Sequence, residues 1–105
     1  METLKFKFRG GQRTGATKNA TVVGVVGSGN LEVLVEQRDL QGECHIEVVT
    51  AVSGYSTIWQ EVLDDFFAHH SLADIQISIN DVGATPAVVS LRLAQALENF
   101  LQVPG

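Results

Sequence analysis

The chain has 105 residues and a formal net charge of −5 at pH 7, with 45% hydrophobic and 18% charged residues. These values predict one globular domain spanning residues 1–105 that buries roughly two-thirds of its extended surface, and they argue against a disordered chain. A single cysteine excludes an internal disulfide, and we recognise neither a secretory signal nor a transmembrane span, so we expect a cytoplasmic protein.

The first predicted element is a strand in the basic N-terminal part of the chain. Leu4, Phe6 and Phe8 alternate with polar neighbours, which predicts an edge strand with one face on the core. The cations that discourage edge-to-edge pairing on its other face are Lys5, Lys7 and Arg9. Alternatively, this basic arm contacts phosphates or a partner. Because the rest of the chain is acidic, we do not expect nucleic-acid binding.

A glycine-rich break between two strand-like runs is the most informative motif. Residues 20–26 and 31–37 are rich in Val and Leu, which predicts the two strands of a hairpin. The break places Ser28 between Gly27 and Gly29, which lack the Cβ atoms that would crowd a group attached to the hydroxyl. Local pattern alone favours an ordinary turn. The motif lacks the Gly-Lys-Ser/Thr ending of a phosphate loop, so nucleotide hydrolysis is not expected.

The next predicted elements are a strand over residues 44–52, a helix and a further strand. Ile46, Val48 and Val52 are expected on the inner side of the first strand. The helix runs from about Thr57 to His69, and Thr57 with Gln60 has the spacing of a capping box. Its apolar stripe comprises Ile58, Trp59, Val62, Leu63, Phe66 and Phe67. The following strand is indicated by Ile75, Ile77 and Ile79.

The last predicted element is a helix with Thr85 as N-cap and Pro86 at its first position. Its buried stripe comprises Val89, Leu93, Ala96, Leu97 and Phe100. The simplest way to bury all these surfaces is an α+β fold: a mixed or antiparallel sheet of four to five strands with both helices on one face. The strand, helix, strand order around the first helix predicts one crossover connection.

The other chemically reactive residues do not predict a catalytic or metal site. Cys44 and His45 are neighbours in a strand and should project to opposite faces, which argues against a nucleophilic pair. His69 and His70 are adjacent at the end of the first helix and lack a third ligand nearby, so no metal is expected. Asp81 is expected to brace the turn before the last helix.

Two motifs in a fixed order carry a resemblance to a known family. Residues 26–34 read VGSGNLEVL, and residues 81–86, much later, read DVGATP before the helix-like LRLAQ at 91–95. In this order and at this chain length, the sequence resembles the acyl carrier (delta) subunit of malonate decarboxylase. More distantly, it resembles the acyl carrier (gamma) subunit of citrate lyase. The resemblance covers nearly the whole chain.

The resemblance implies a carrier subunit with no catalytic activity of its own. In that family, the serine of the Gly-Ser-Gly motif carries a phosphoribosyl-dephospho-CoA group through a phosphodiester, and the terminal thiol holds acetyl and malonyl groups. This role falls on Ser28, flanked by Gly27 and Gly29. Family members commonly have Asp where this chain has Asn30. The implied fold is not the helical bundle of the familiar acyl carriers, which bear Asp-Ser-Leu at a helix start.

The resemblance also implies partners. These are the acyltransferase (malonyl transferase) and decarboxylase subunits of the complex, and a dedicated transferase that delivers the prosthetic group. Two alternatives stay open from the sequence: a carrier of the citrate lyase type, and an unmodified interaction module whose hairpin only docks on a partner.

Overall fold

The computed structural model describes residues 1–13, 20–24 and 31–101. Within these ranges the strands are β1 (Glu2–Phe8), β2 (Gln12–Arg13), β3 (Ala20–Gly24), β4 (Leu31–Gln37), β5 (Cys44–Thr50), β6 (Leu72–Ala73) and β7 (Ile75–Asp81). The helices are α1 (Ser56–His69) and α2 (Pro86–Leu101).

Five strands form a mixed sheet in the order β1-β5-β7-β4-β3. β5 and β7 are parallel and joined through α1, which is the predicted crossover, and the other neighbours in the sheet are antiparallel. β3 pairs antiparallel with β4, so the predicted hairpin strands are confirmed. β2 and β6 form a small parallel ladder that the sequence did not predict. The α+β prediction, with a sheet instead of a helical bundle, is confirmed.

The core lies between one face of the sheet and the two helices. Alternate residues of β4, β5 and β7 are buried, and one row across the sheet brings together Val35, Ile77 and Ile46. Both helices contribute to the same cluster, so both lie on this face. The predicted stripe of α2 is fully buried: Val89, Leu93, Ala96, Leu97 and Phe100.

Three details of the sequence prediction are wrong. α1 begins one residue before Thr57, and Tyr55 occupies its N-cap position without a side-chain hydrogen bond, so no capping box forms. Ile58 is 40% exposed, because Trp59, Leu63 and Phe66 define the buried face of α1 and Ile58 lies about 100° around the helix from Trp59. Val52 is also 40% exposed, because β5 ends at Thr50.

Candidate functional site

Sheet register places both ends of the predicted serine hairpin at one end of the sheet. β3 ends with Gly24 opposite Glu32, and β4 begins with Leu31 opposite Asp81. Asp81 in turn lies opposite Thr50, at the carboxyl end of the parallel neighbour β5. The predicted site residues Gly27, Ser28 and Gly29 belong to residues 25–30 and lie outside the described residues. The described site is therefore the end of the sheet from which this segment departs and to which it returns.

Asp81 organises this end of the sheet. Its carboxylate is buried, with Oδ2 accepting a hydrogen bond from Thr50 Oγ1 at 2.8 Å. Oδ1 accepts from the backbone N–H groups of Ala84 at 2.8 Å and Gly83 at 3.2 Å. Gly83 has φ +104, a conformation that favours glycine. The expectation that Asp81 braces the turn before the last helix is confirmed.

The N-terminus of α2 follows directly from this turn. Pro86 is the first helical residue, as predicted. Thr85 Oγ1 accepts from the Val88 N–H at a long 3.4 Å, and its carbonyl accepts from the Val89 N–H at 2.9 Å. Thr85 is therefore the N-cap of α2.

A cavity of about 330 Å³ opens beside this turn, between the first turns of α1 and α2. Its walls are mainly apolar and include Val52, Tyr55, Ile58, Trp59, Val62 and Val89. Thr50 and Asp81 form its polar part. Pockets of this size, apolar with a few polar groups, are typical of small-molecule sites.

The sequence analysis missed Thr50 and the cavity. The burial of Thr50 could have been predicted from the sequence, because Thr50 follows Cys44, Ile46 and Val48 at alternate positions and so falls on the buried face of β5. A buried hydroxyl requires a hydrogen-bond partner, and Asp81 supplies it. No sequence pattern predicts the cavity, because its walls come from segments that are distant in sequence.

The basic arm lies on β1, which is an edge strand of the sheet, as expected, while β3 forms the other edge. Glu2 at the start of β1 lies opposite Thr50, and the cations follow further along the chain. Lys5 Nζ lies 3.8 Å from Glu47 Oε2, and Arg9 pairs with Glu43. The hydrogen bond from His45, and then that from Arg9, lower the pKa of the Glu43 carboxyl. These ion pairs favour the edge-strand interpretation of the arm over phosphate contact.

The remaining candidate residues are Cys44, His45, His69 and His70. Cys44 is buried on the core face and His45 lies on the other face, so the prediction that they diverge is confirmed. Burial raises the pKa of the Cys44 thiol to about 12. Burial and the neighbouring His69 lower the pKa of His70. In the described ranges, no three His, Cys, Asp or Glu side chains are grouped as metal ligands would be, and no helix has the length and apolar character of a membrane span.

Comparison with protein families gives a match over residues 18–100 to the model described as malonate decarboxylase delta subunit (MdcD). The matched range includes Ser28 as well as the Asp81 turn.

Individual relatives agree. A malonate decarboxylase acyl carrier protein of Xanthomonas euvesicatoria pv. vesicatoria (strain 85-10) is 61% identical over 98 residues, which is 93% of each chain. One of Stenotrophomonas maltophilia (strain R551-3) is 50% identical over 101 residues, covering 96% of this chain and 95% of the relative. A chain in the crystal structure of a Pseudomonas malonate decarboxylase hetero-tetramer in complex with malonate is 40% identical and superposes with a TM-score of 0.79. The match covers 95% of this chain and 99% of the other.

Proposed function

The chain belongs to the malonate decarboxylase delta-subunit family, and we propose that in a malonate decarboxylase complex it carries acyl groups on a prosthetic group attached to Ser28. It is a carrier and not a catalytic subunit. We propose that the group is phosphoribosyl-dephospho-CoA, linked by a phosphodiester. We further propose the acyltransferase (malonyl transferase) and decarboxylase subunits, and the prosthetic-group transferase, as its partners.

The observation that carries this proposal is the register of β3 and β4 around the Gly-Ser-Gly segment. β3 ends and β4 begins at the same end of the sheet, where Gly24 lies opposite Glu32 and Leu31 opposite Asp81. Ser28 bears the only side-chain hydroxyl between these strands, in residues 25–30. A phosphodiester requires such an oxygen, and the family match includes this position.

The described residues around this end of the sheet fit a large attached group. Val82 is 63% exposed, and the following residues Gly83, Thr85 and Pro86 are also exposed. No described segment therefore covers the turn that lies next to the start of β4. When attached, the group would supply a thiol that bears the acyl group at the end of a long arm.

In this proposal, the chain itself positions the attached arm. The sheet holds the two strands that flank the Gly-Ser-Gly segment, and a tethered group reaches successive active sites at a high effective concentration without any contact to the acyl group itself. At the same end of the sheet, hydrogen bonds join Thr50, Asp81 and the turn before α2. Decarboxylation and acyl transfer are then the work of the partner subunits.

Intact mass tests the proposal. The protein is produced together with its prosthetic-group assembly enzymes, as wild type, Ser28→Ala and Ser53→Ala. Ser53 is an exposed serine in the turn after β5 and serves as the matched control. We expect wild type and Ser53→Ala to gain the mass of the phosphoribosyl-dephospho-CoA group and to support malonate decarboxylation in the assembled complex. Ser28→Ala should fold, remain unmodified and give an inactive complex.

Two outcomes would overturn the proposal. A Ser28→Ala protein that still gains the added mass would place the attachment elsewhere. Wild-type protein that stays unmodified in an active complex would instead indicate an interaction module.

A further inference from the structure

The cavity beside Asp81 has an apolar mouth that the fold does not require. Among the described residues, six large hydrophobic side chains are exposed, and three of them, Val52, Tyr55 and Ile58, line this cavity. A fourth, Val82, lies between two lining residues, Asp81 and Gly83. An exposed apolar cluster of this kind marks a binding surface.

The cavity lies within reach of position 28. Leu31 and Asp81 are opposite each other on neighbouring strands, which lie about 4.8 Å apart. Three residues of chain span at most about 11 Å in any conformation. An arm attached at Ser28 therefore starts no more than roughly 16 Å from a wall of the cavity.

The chemistry of the walls selects an uncharged occupant. No Lys or Arg lines the cavity, and the one carboxylate in its walls belongs to Asp81, so phosphate groups are disfavoured there. The polar atoms of Thr50 and Asp81 are already bonded to each other and to the backbone of the Asp81 turn. The cavity therefore offers few free hydrogen-bonding groups to the edge of a purine. An aliphatic chain that ends in a thiol needs few hydrogen-bonding partners.

We infer that this cavity holds the thiol-bearing end of the arm on Ser28 between visits to the partner subunits. The volume of about 330 Å³ suits the end of such an arm but not the whole prosthetic group. This inference rests on the proposed attachment at Ser28. Because the cavity is open to solvent and largely apolar, docking is reversible, and the arm exchanges between a held and an extended state.

The first test measures how fast iodoacetamide alkylates the arm thiol in modified protein, with free CoA as the reference thiol. Unmodified Ser28→Ala protein gives the background from the buried Cys44. If the arm is docked nine-tenths of the time, the thiol reacts about tenfold more slowly than CoA.

Two variants at the cavity mouth should restore fast alkylation. Val52→Phe obstructs the entrance, and Ile58→Lys places a cation there; both positions are 40% exposed, so both proteins should fold. The matched controls are Leu91→Phe and Leu91→Lys, since Leu91 is an exposed residue of α2 that does not line the cavity. The controls should keep the slow wild-type rate.

Fluorescence supplies a readout that does not depend on thiol chemistry. Trp59 is the only tryptophan and lines the cavity with 6% exposure. Its emission should differ between modified wild type and unmodified Ser28→Ala, and this difference should vanish with Val52→Phe.

Failure of this inference is distinguishable from failure of the attachment. Protein without the added mass overturns the attachment and the inference together. Protein with the added mass but a thiol that reacts at the rate of CoA overturns the inference alone. A second result would also overturn the inference alone: alkylation that stays slow in Val52→Phe and Ile58→Lys, although both variants bind the decarboxylase subunits more weakly. The mouth of the cavity would then be a docking surface for those subunits.

Discussion

The single cysteine illustrates how burial changes the chemistry of one residue. Cys44 begins β5 and is buried on the core face, where desolvation raises the pKa of its thiol to about 12. A thiol in this state is neither a nucleophile nor a metal ligand at neutral pH. The free Cys44 is therefore compatible with a carrier whose reactive sulfur belongs to its prosthetic group.

The raised pKa of Cys44 predicts a pH dependence of stability. In the unfolded chain the thiol ionises near its ordinary pKa of 9.0, whereas the folded protein keeps it protonated up to about pH 12. The unfolded state therefore binds fewer protons between these values, and the free energy of unfolding falls as pH rises, by up to about 1.4 kcal/mol per pH unit. Urea titrations at pH 8 and pH 10.5 measure this loss.

Cys44→Ala is the control for this prediction. It costs stability at pH 8 by leaving a small cavity, but it should lose less further stability at pH 10.5 than wild type. Equal losses for the two proteins would show that the unfolded and folded chains ionise this thiol alike.

At the scale of the element, the connection between β7 and α2 is stabilised by one carboxylate. Asp81 accepts two backbone N–H groups and the Thr50 hydroxyl in a buried setting. We expect Asp81→Ala to lower the free energy of unfolding by about 2–3 kcal/mol, because these donors lose their partner. Thr50→Val should cost about 1 kcal/mol, since it removes one donor and the acceptor of the Val52 N–H.

Urea denaturation of the two single variants and the double variant measures the coupling. Because Thr50 and Asp81 are in contact, the double variant should lose less than the sum of the singles. The matched control is Asp64→Ala, since Asp64 is exposed on α1 and bonds only Gln60 among the contacts described. It should change stability by less than about 0.5 kcal/mol. An effect of Asp81→Ala as small as that of the control would contradict the bracing role.

At the scale of the whole molecule, sheet order separates the basic arm from the proposed attachment point. β1 lies three strands from β4 and four from β3, which corresponds to roughly 14–19 Å at the usual strand spacing. Charges at that distance are largely screened at 0.15 M salt, where the Debye length is about 8 Å.

We therefore expect the combined change Lys5→Gln, Lys7→Gln and Arg9→Gln to leave the rate of Ser28 modification unchanged at 0.15 M salt. The melting temperature should also change little, because the pairs of Lys5 and Arg9 are at the surface. The measurement is the modified fraction against time by intact mass. A modification rate that falls several-fold, and falls less in high salt, would show that the arm contacts the transferase or the phosphates.

Much of the architecture followed from local pattern. Period-two alternation located β1, β4, β5 and β7, and helical spacing located α1 and α2, because a buried face imposes its repeat directly on the sequence. The errors occurred at element ends. Val52 continues the alternation of β5 but leaves the sheet, and Thr57 has the spacing of a capping box yet lies inside α1. Ends depend on competing tertiary contacts, which local periodicity does not record.

The amino-acid sequence by itself determined the α+β class, the core stripes, the pairing of β3 with β4 and the family resemblance around Ser28. It did so because these depend on residue type and on spacing over short distances. Only the tertiary structure decided the sheet order, the bond between Thr50 and Asp81, the cavity beside them and the distance of the basic arm. These features join segments separated by up to several tens of residues, and many strand orders bury the same stripes. Their selection therefore rests on the packing of the whole chain.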